Sequence, residues 1–163
     1  MHERRRGGFD LDGVFVRPGE LALAEDGSTL VSVAARGIVV CLWAPAPPMA
    51  GMAHVLEAST TDPRKATGRF ANAAIPELAR MVRSRGAVNL EAQLLGGAFR
   101  DDDEESAGKR LAKASMRILD RIGVPVVSSD LGGSKGRKVV FDGTSGQIAV
   151  VKVHELRRED WNP

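Results

Sequence analysis

SVAARGIVVCLWAPAPPMAGMAH, running from Ser32 to His54, is the stretch whose reading decides the fold of this chain. From Ile38 to Trp43 every residue is apolar, and three β-branched residues lead the run. A run this short and this continuous is the pattern of a central strand covered on both faces. Pro45, Pro47 and Pro48 end it, because proline fixes φ and cannot donate to a ladder. Gly51 to Leu56 (GMAHVL) then returns as a second strand. The stretch also carries the chain's single cysteine, Cys41, and at His54 the one histidine set between apolar residues. A thiol and imidazole pair is the first chemistry to consider.

Working outward, Leu30 to Ala34 reads as a strand with Val31 and Val33 on one face and Ser32 on the other, preceded by a weaker strand at Leu21 to Ala24. Glu57 to Gly68 is a polar loop. Phe70, Ala74, Leu78 and Val82 repeat at helical spacing until Gly86, with Pro76 either kinking the helix or sitting near its start. Asn89 to Leu95 is a strand entering Gly96-Gly97. Leu111, Ser115, Ile118 and Ile122 stripe a second helix that Gly123 closes. Pro125 to Ser129 is the next strand and Asp130 to Gly136 a glycine-rich loop. Arg137 to Phe141 and Gln147 to His154 pair as a hairpin across Asp142 to Gly146. Strands with two long helices inserted among them predict an α/β (α+β) domain with a mixed sheet and helices outside it. Residues 1–8 read as a flexible arm and residues 9–163 as one domain.

Composition bounds the function loosely. At 163 residues, 43% hydrophobic and 27% charged, the chain has room for one domain with a real core. No apolar stretch approaches the ~20 residues of a membrane span, and MHERRRGG has no apolar signal region, so no membrane insertion and a cytoplasmic location are expected. With 23 basic against 21 acidic residues the balance gives no argument for nucleic acid, and the few aromatics offer no base-stacking platform. The basic Arg4 to Arg6 and the acidic Asp101 to Glu105 read as solvated charge runs. One cysteine cannot form an internal disulfide and three scattered histidines make no zinc site, so no cofactor is expected.

A cysteine attacks as its thiolate and needs a neighbouring base or cation, which Cys41 and His54 could supply between them. Against this, Cys41 lies mid-strand between Val40 and Leu42, where cysteines are ordinary core residues. His54 reads either as functional or as a hydrogen-bonded core histidine. Gly96-Gly97 and Gly132-Gly133 with Gly136 could form anion-holding turns, but their spacing fits neither a Walker loop nor a dinucleotide fingerprint.

Taken together, GELALAEDGSTLVSV, IVVCLWAP, GMAHVL, GRFANAAIPELARMVRSRGA, AQLLGGAF, AGKR and IGVPVVSSDLGGSKGRKVVFDGTSGQIAVVKV resemble the chemoreceptor glutamine deamidases of bacterial chemotaxis, the CheD family, over roughly Gly19 to Val153. The most specific parts are MAH ending at His54, GGA at Gly96 to Ala98, and DLGGSKGRK from Asp130. The resemblance implies a three-layer fold and a cysteine and histidine site that hydrolyses glutamine side-chain amides on chemoreceptor helices. It carries the family histidine onto His54 and the orienting hydroxyl, usually threonine, onto Ser32. It carries the nucleophile onto Gly37, which has no thiol. Arg36 stands where the family has serine, and the loop Ala34 to Gly37 is one residue short. Cys41 aligns with a second family cysteine, four strand residues or about 13 Å further on.

The expected protein is therefore a CheD-like relative lacking the catalytic cysteine. It would act by binding the chemoreceptor cytoplasmic domain or a CheC-like chemotaxis phosphatase, with Asp130, Gly132, Gly133 and Arg137 as candidate protein-binding residues. The alternative is an active deamidase or amide hydrolase using His54 with Cys41 or an activated water. Anion or nucleotide binding at the glycine loops has the least support.

Overall fold

The computed structural model describes residues 13–98 and 107–154. The expected arm at residues 1–8 and the acidic block Asp101 to Glu105 lie outside the described residues. The elements in chain order are β1 (Val14–Phe15), β2 (Leu21–Leu23), β3 (Thr29–Ala34), β4 (Ile38–Pro45), β5 (Pro48–Val55), α1 (Ala71–Ser84), β6 (Glu91–Gly96), α2 (Ala107–Arg121), β7 (Val126–Leu131), β8 (Gly136–Asp142) and β9 (Ile148–Val153).

The strands form two sheets, one of four strands in the order β1-β3-β8-β9 and one of five in the order β2-β5-β4-β6-β7. Both are mixed, since β1 pairs parallel with β3 and β6 parallel with β7 while the other pairings are antiparallel. The α+β architecture is the expected one, with its strands divided between two sheets. β4 sits at the centre of the larger sheet, as its unbroken apolar run requires. Ile38, Val40, Leu42 and Ala44 pack towards Ile75, Leu78 and Val82 of α1 and Leu111 and Leu119 of α2. Val39 and Cys41 point the other way, to Leu30, Met52, Val139 and Phe141 between the two sheets. The result is three layers: small sheet, large sheet, helices.

Both helices bury an apolar stripe on the large sheet. α1 lacks a capping side chain, and its first amides are satisfied instead by loop carbonyls, Ala71 N donating to Glu57 O at 2.8 Å and Asn72 N to Ala58 O at 3.3 Å. Pro76 lies in its second turn. No helix among the described residues is long and apolar enough to cross a membrane. Three local expectations change. β4 runs through Pro45 and β5 opens at Pro48 rather than Gly51, the two prolines pairing at the end of the ladder, so the turn is confined to Ala46 and Pro47. The strand expected at Pro125 to Ser129 runs on through Asp130 and Leu131, paired with β6, and β8 already begins at Gly136. The glycine-rich loop is therefore Gly132 to Lys135 only. The short β1 went unread because two residues show no period.

Candidate active site

Alternation along β5 turns Met52 and His54 towards the gap between the sheets, and there His54 meets Ser32 of β3 from the facing sheet. Both side chains are fully buried. The Ser32 hydroxyl donates its one proton to the Val16 carbonyl at 2.6 Å. Towards His54 Nδ1, 3.0 Å away, the same oxygen therefore accepts, which assigns the proton to Nδ1. Burial lowers the imidazole pKa from 6.5 to about 4, so the ring is neutral at pH 7 with its lone pair on Nε2. Hydrogen bonds with the segment just before β2 fix the backbone, His54 N donating to Glu20 O at 3.0 Å and Gly19 N to His54 O at 2.8 Å. A neutral imidazole in a set tautomer is the form that takes a proton from a nucleophile.

Gly37 stands opposite that lone pair. A Cβ built on Gly37 would lie 2.7 Å from His54 Nε2, 2.9 Å from Val55 O and 3.0 Å from Leu56 Cδ2. The sequence thus brings the proposed nucleophile position and the histidine together in space, yet leaves no room for a side chain between them. The Ala35 to Gly37 bend is held by the end of β6, with Gly97 N donating to Gly37 O at 2.9 Å and Ala98 N to Ala35 O at 2.8 Å. Gly96 must be glycine here: its φ is +122°, and a Cβ would collide with the Gly37 carbonyl. The GGA motif is therefore the floor of the site loop. Gly37 is buried and Arg36 beside it exposed.

Cys41 is not part of this cluster. It lies 1% exposed in the layer between the sheets, opposite Met52 in the ladder, and desolvation pushes its thiol well above the usual range. A thiol kept protonated this way is a poor nucleophile. Among the described residues no group of histidine, cysteine and carboxylate side chains could hold a metal ion.

The residues expected to contact a partner divide. Gly133 is exposed, and Asp130 and Gly132 are half-buried. The Arg137 side chain is only 2% exposed. It donates from Nη2 and Nε to Asp130 at 3.2 and 3.5 Å, and from Nη1 to Lys135 O at 3.0 Å and Gly96 O at 3.3 Å. These four hydrogen bonds engage the guanidinium inside the chain. For the Asp130 carboxyl, burial pushes the pKa up, but hydrogen bonds from Arg137 and Lys152 outweigh it and hold the group below its usual range. Sequence reasoning missed the Val16 carbonyl, which has no side-chain signal, and this ion pair. The acidic and basic residues flanking the glycine loop were the signal for it.

A protein of Anaeromyxobacter dehalogenans named probable chemoreceptor glutamine deamidase CheD 1 is 32% identical over 142 residues, covering 83% of this chain and 81% of that protein. The chain belongs to the CheD family. The family described as CheD chemotactic sensory transduction matches residues 55–152, more than half of the chain. Those residues begin immediately after His54 and take in the GGA motif and the Asp130 to Arg137 segment. A probable chemoreceptor glutamine deamidase CheD of Methanococcus maripaludis is 29% identical over 148 residues, covering 87% of this chain and 96% of its own. One from Desulforamulus reducens is 32% identical over 120 residues, covering 68% and 72%.

Proposed function

We propose that this CheD-family chain is a catalytically degenerate relative of the chemoreceptor glutamine deamidases, acting in the cytoplasm by binding rather than by hydrolysis. The observation that carries this is Gly37 packed against His54 Nε2, where a thiol would have to stand. Deamidation through a covalent intermediate needs a thiolate to attack the carboxamide carbon, an imidazole to hand a proton to departing ammonia, and water to clear the thioester. Ser32 and His54 supply the second part alone. Loss of a nucleophile from such a cluster costs on the order of 10⁴ to 10⁶ in rate. Cys41 is a poor substitute, being remote along β4, sealed between the sheets and held as a thiol.

The partners we propose are the chemoreceptor cytoplasmic domain and a CheC-like chemotaxis phosphatase. Support comes from the retained fold and from the intact Gly132 to Lys135 tip, where Gly133 reaches solvent beside Asp130 and Arg137 braces the loop from below. The test is a pull-down of receptor cytoplasmic fragment and phosphatase at low salt. Capture of either, weakened by lengthening the tip, is expected; capture of neither would sink the binding role.

A further inference from the structure

We propose that Arg137 is a positioning residue for the candidate site, holding the Gly96–Gly97 peptide that sets the Ala35 to Gly37 loop against His54. One peptide unit makes the connection. Its carbonyl, on Gly96, accepts from Arg137 Nη1 at 3.3 Å and from Gly132 N at 3.0 Å. Its N–H, on Gly97, donates to Gly37 O at 2.9 Å. In a trans peptide these two groups point in opposite directions, so the guanidinium and the site loop grip the same plane from its two sides, and each bond polarises the other.

That peptide needs holding. It is flanked by Gly96 at φ +122° and Gly97 at φ +63°, and between two such glycines no Cβ resists its rotation. Arg137 is suited to the task because its planar fork reaches several acceptors at once in fixed geometry. Two arms of the fork take the Asp130 carboxylate, and the third bridges the Lys135 and Gly96 carbonyls. Asp130 is itself steadied by Lys152 Nζ at 3.2 Å. Arg137 thus ties the small sheet to the end of β6 at the one peptide that also carries Gly37. This role is independent of whether the chain deamidates or only binds.

The test is amide hydrogen exchange and histidine titration, both by NMR on the full chain, for Arg137→Lys and Asp130→Asn. Lysine keeps the charge but has no fork. In Arg137→Lys the Gly97 and Ala98 amides are expected to exchange at least about tenfold faster than any change seen at Val40 in the central strand. His54, lowered to about 4 in the parent, is expected to titrate closer to 6.5 as water reaches the ring. Asp130→Asn, which leaves the Nη1 contact but loosens the fork, gives the same two changes on a smaller scale, and it decides the matter alone should the lysine variant not fold. If Gly97 and Ala98 move only by the factor seen at Val40 and His54 is unshifted, Arg137 merely joins the sheets and the proposal is wrong.

Discussion

Restoring the thiol by Gly37→Cys alone is expected to fail, and the packing around Gly37 says by how much. The new Cβ would fall 2.7 Å from His54 Nε2, 2.9 Å from the Val55 carbonyl and 3.0 Å from Leu56 Cδ2. Leu56 can rotate away. The imidazole cannot do so without leaving Ser32, and the Val55 carbonyl belongs to the β5 backbone. Overpacking of this kind costs about 1–3 kcal/mol, and two immovable neighbours place this case towards the upper end. For a domain of this size each kcal/mol is about 2–4 °C in Tm, so a fall of about 5–10 °C is expected. Activity should stay absent, because relieving the clash moves the thiol off line, and a misplacement of ~1 Å costs ~100-fold. Adding one residue to the Ala34 to Gly37 loop together with the cysteine gives the thiol room; that form should recover part of the Tm and alkylate at pH 7 in a His54-dependent way. Thermal melts, iodoacetamide kinetics and mass spectrometry of a glutamine-bearing receptor fragment read all three. A Gly37→Cys protein that melts with the parent and deamidates the fragment would show that the loop had not closed onto the histidine.

Other expectations follow from the same cluster. His54 titrates at about 4 folded against 6.5 free, so the unfolded chain takes up the proton first as pH falls. The stability it lends is complete above about pH 6.5 and lost down to about pH 4, a decline of about 3 kcal/mol in urea unfolding that His54→Gln should flatten. The Asp130 carboxyl, held below its usual range, adds its own loss only at lower pH. Ser32→Ala removes the hydroxyl shared by the Val16 carbonyl and His54 Nδ1 in the buried layer, and should cost about 1–3 kcal/mol for each group that finds no replacement, by the same measurement. Cys41, buried and held protonated, should resist iodoacetamide in the native state up to pH 9 or so and react only at the rate of global opening.

Much of the fold was legible because its signals were local. The unbroken Ile38 to Trp43 run announced a strand covered on both faces, and the stripes of α1 and α2 gave both helices. Pairing was not legible, since β3 finds β8 across more than a hundred residues and nothing in either sequence names the other. That long-range pairing makes two sheets out of what reads as one series of strands. The site was legible only in part. His54 and Ser32 sit in strands with nothing between them to say that they face each other; the resemblance named both, and the structure sets them 3.0 Å apart. Burial of Arg137 ran against its charge. An arginine next to a glycine loop reads as a surface contact, and the Asp130 carboxylate and the Gly96 carbonyl, brought in by two other strands, together with the Lys135 carbonyl make its burial tolerable.

The most direct measurement is intact-mass spectrometry of a glutamine-bearing chemoreceptor cytoplasmic fragment after incubation with the unaltered chain. With glycine where the thiol should stand, the fragment's mass is expected to remain unchanged over the time an active family member converts it. A gain of about one dalton per site, abolished by Cys41→Ala or His54→Ala, would contradict the degenerate reading outright.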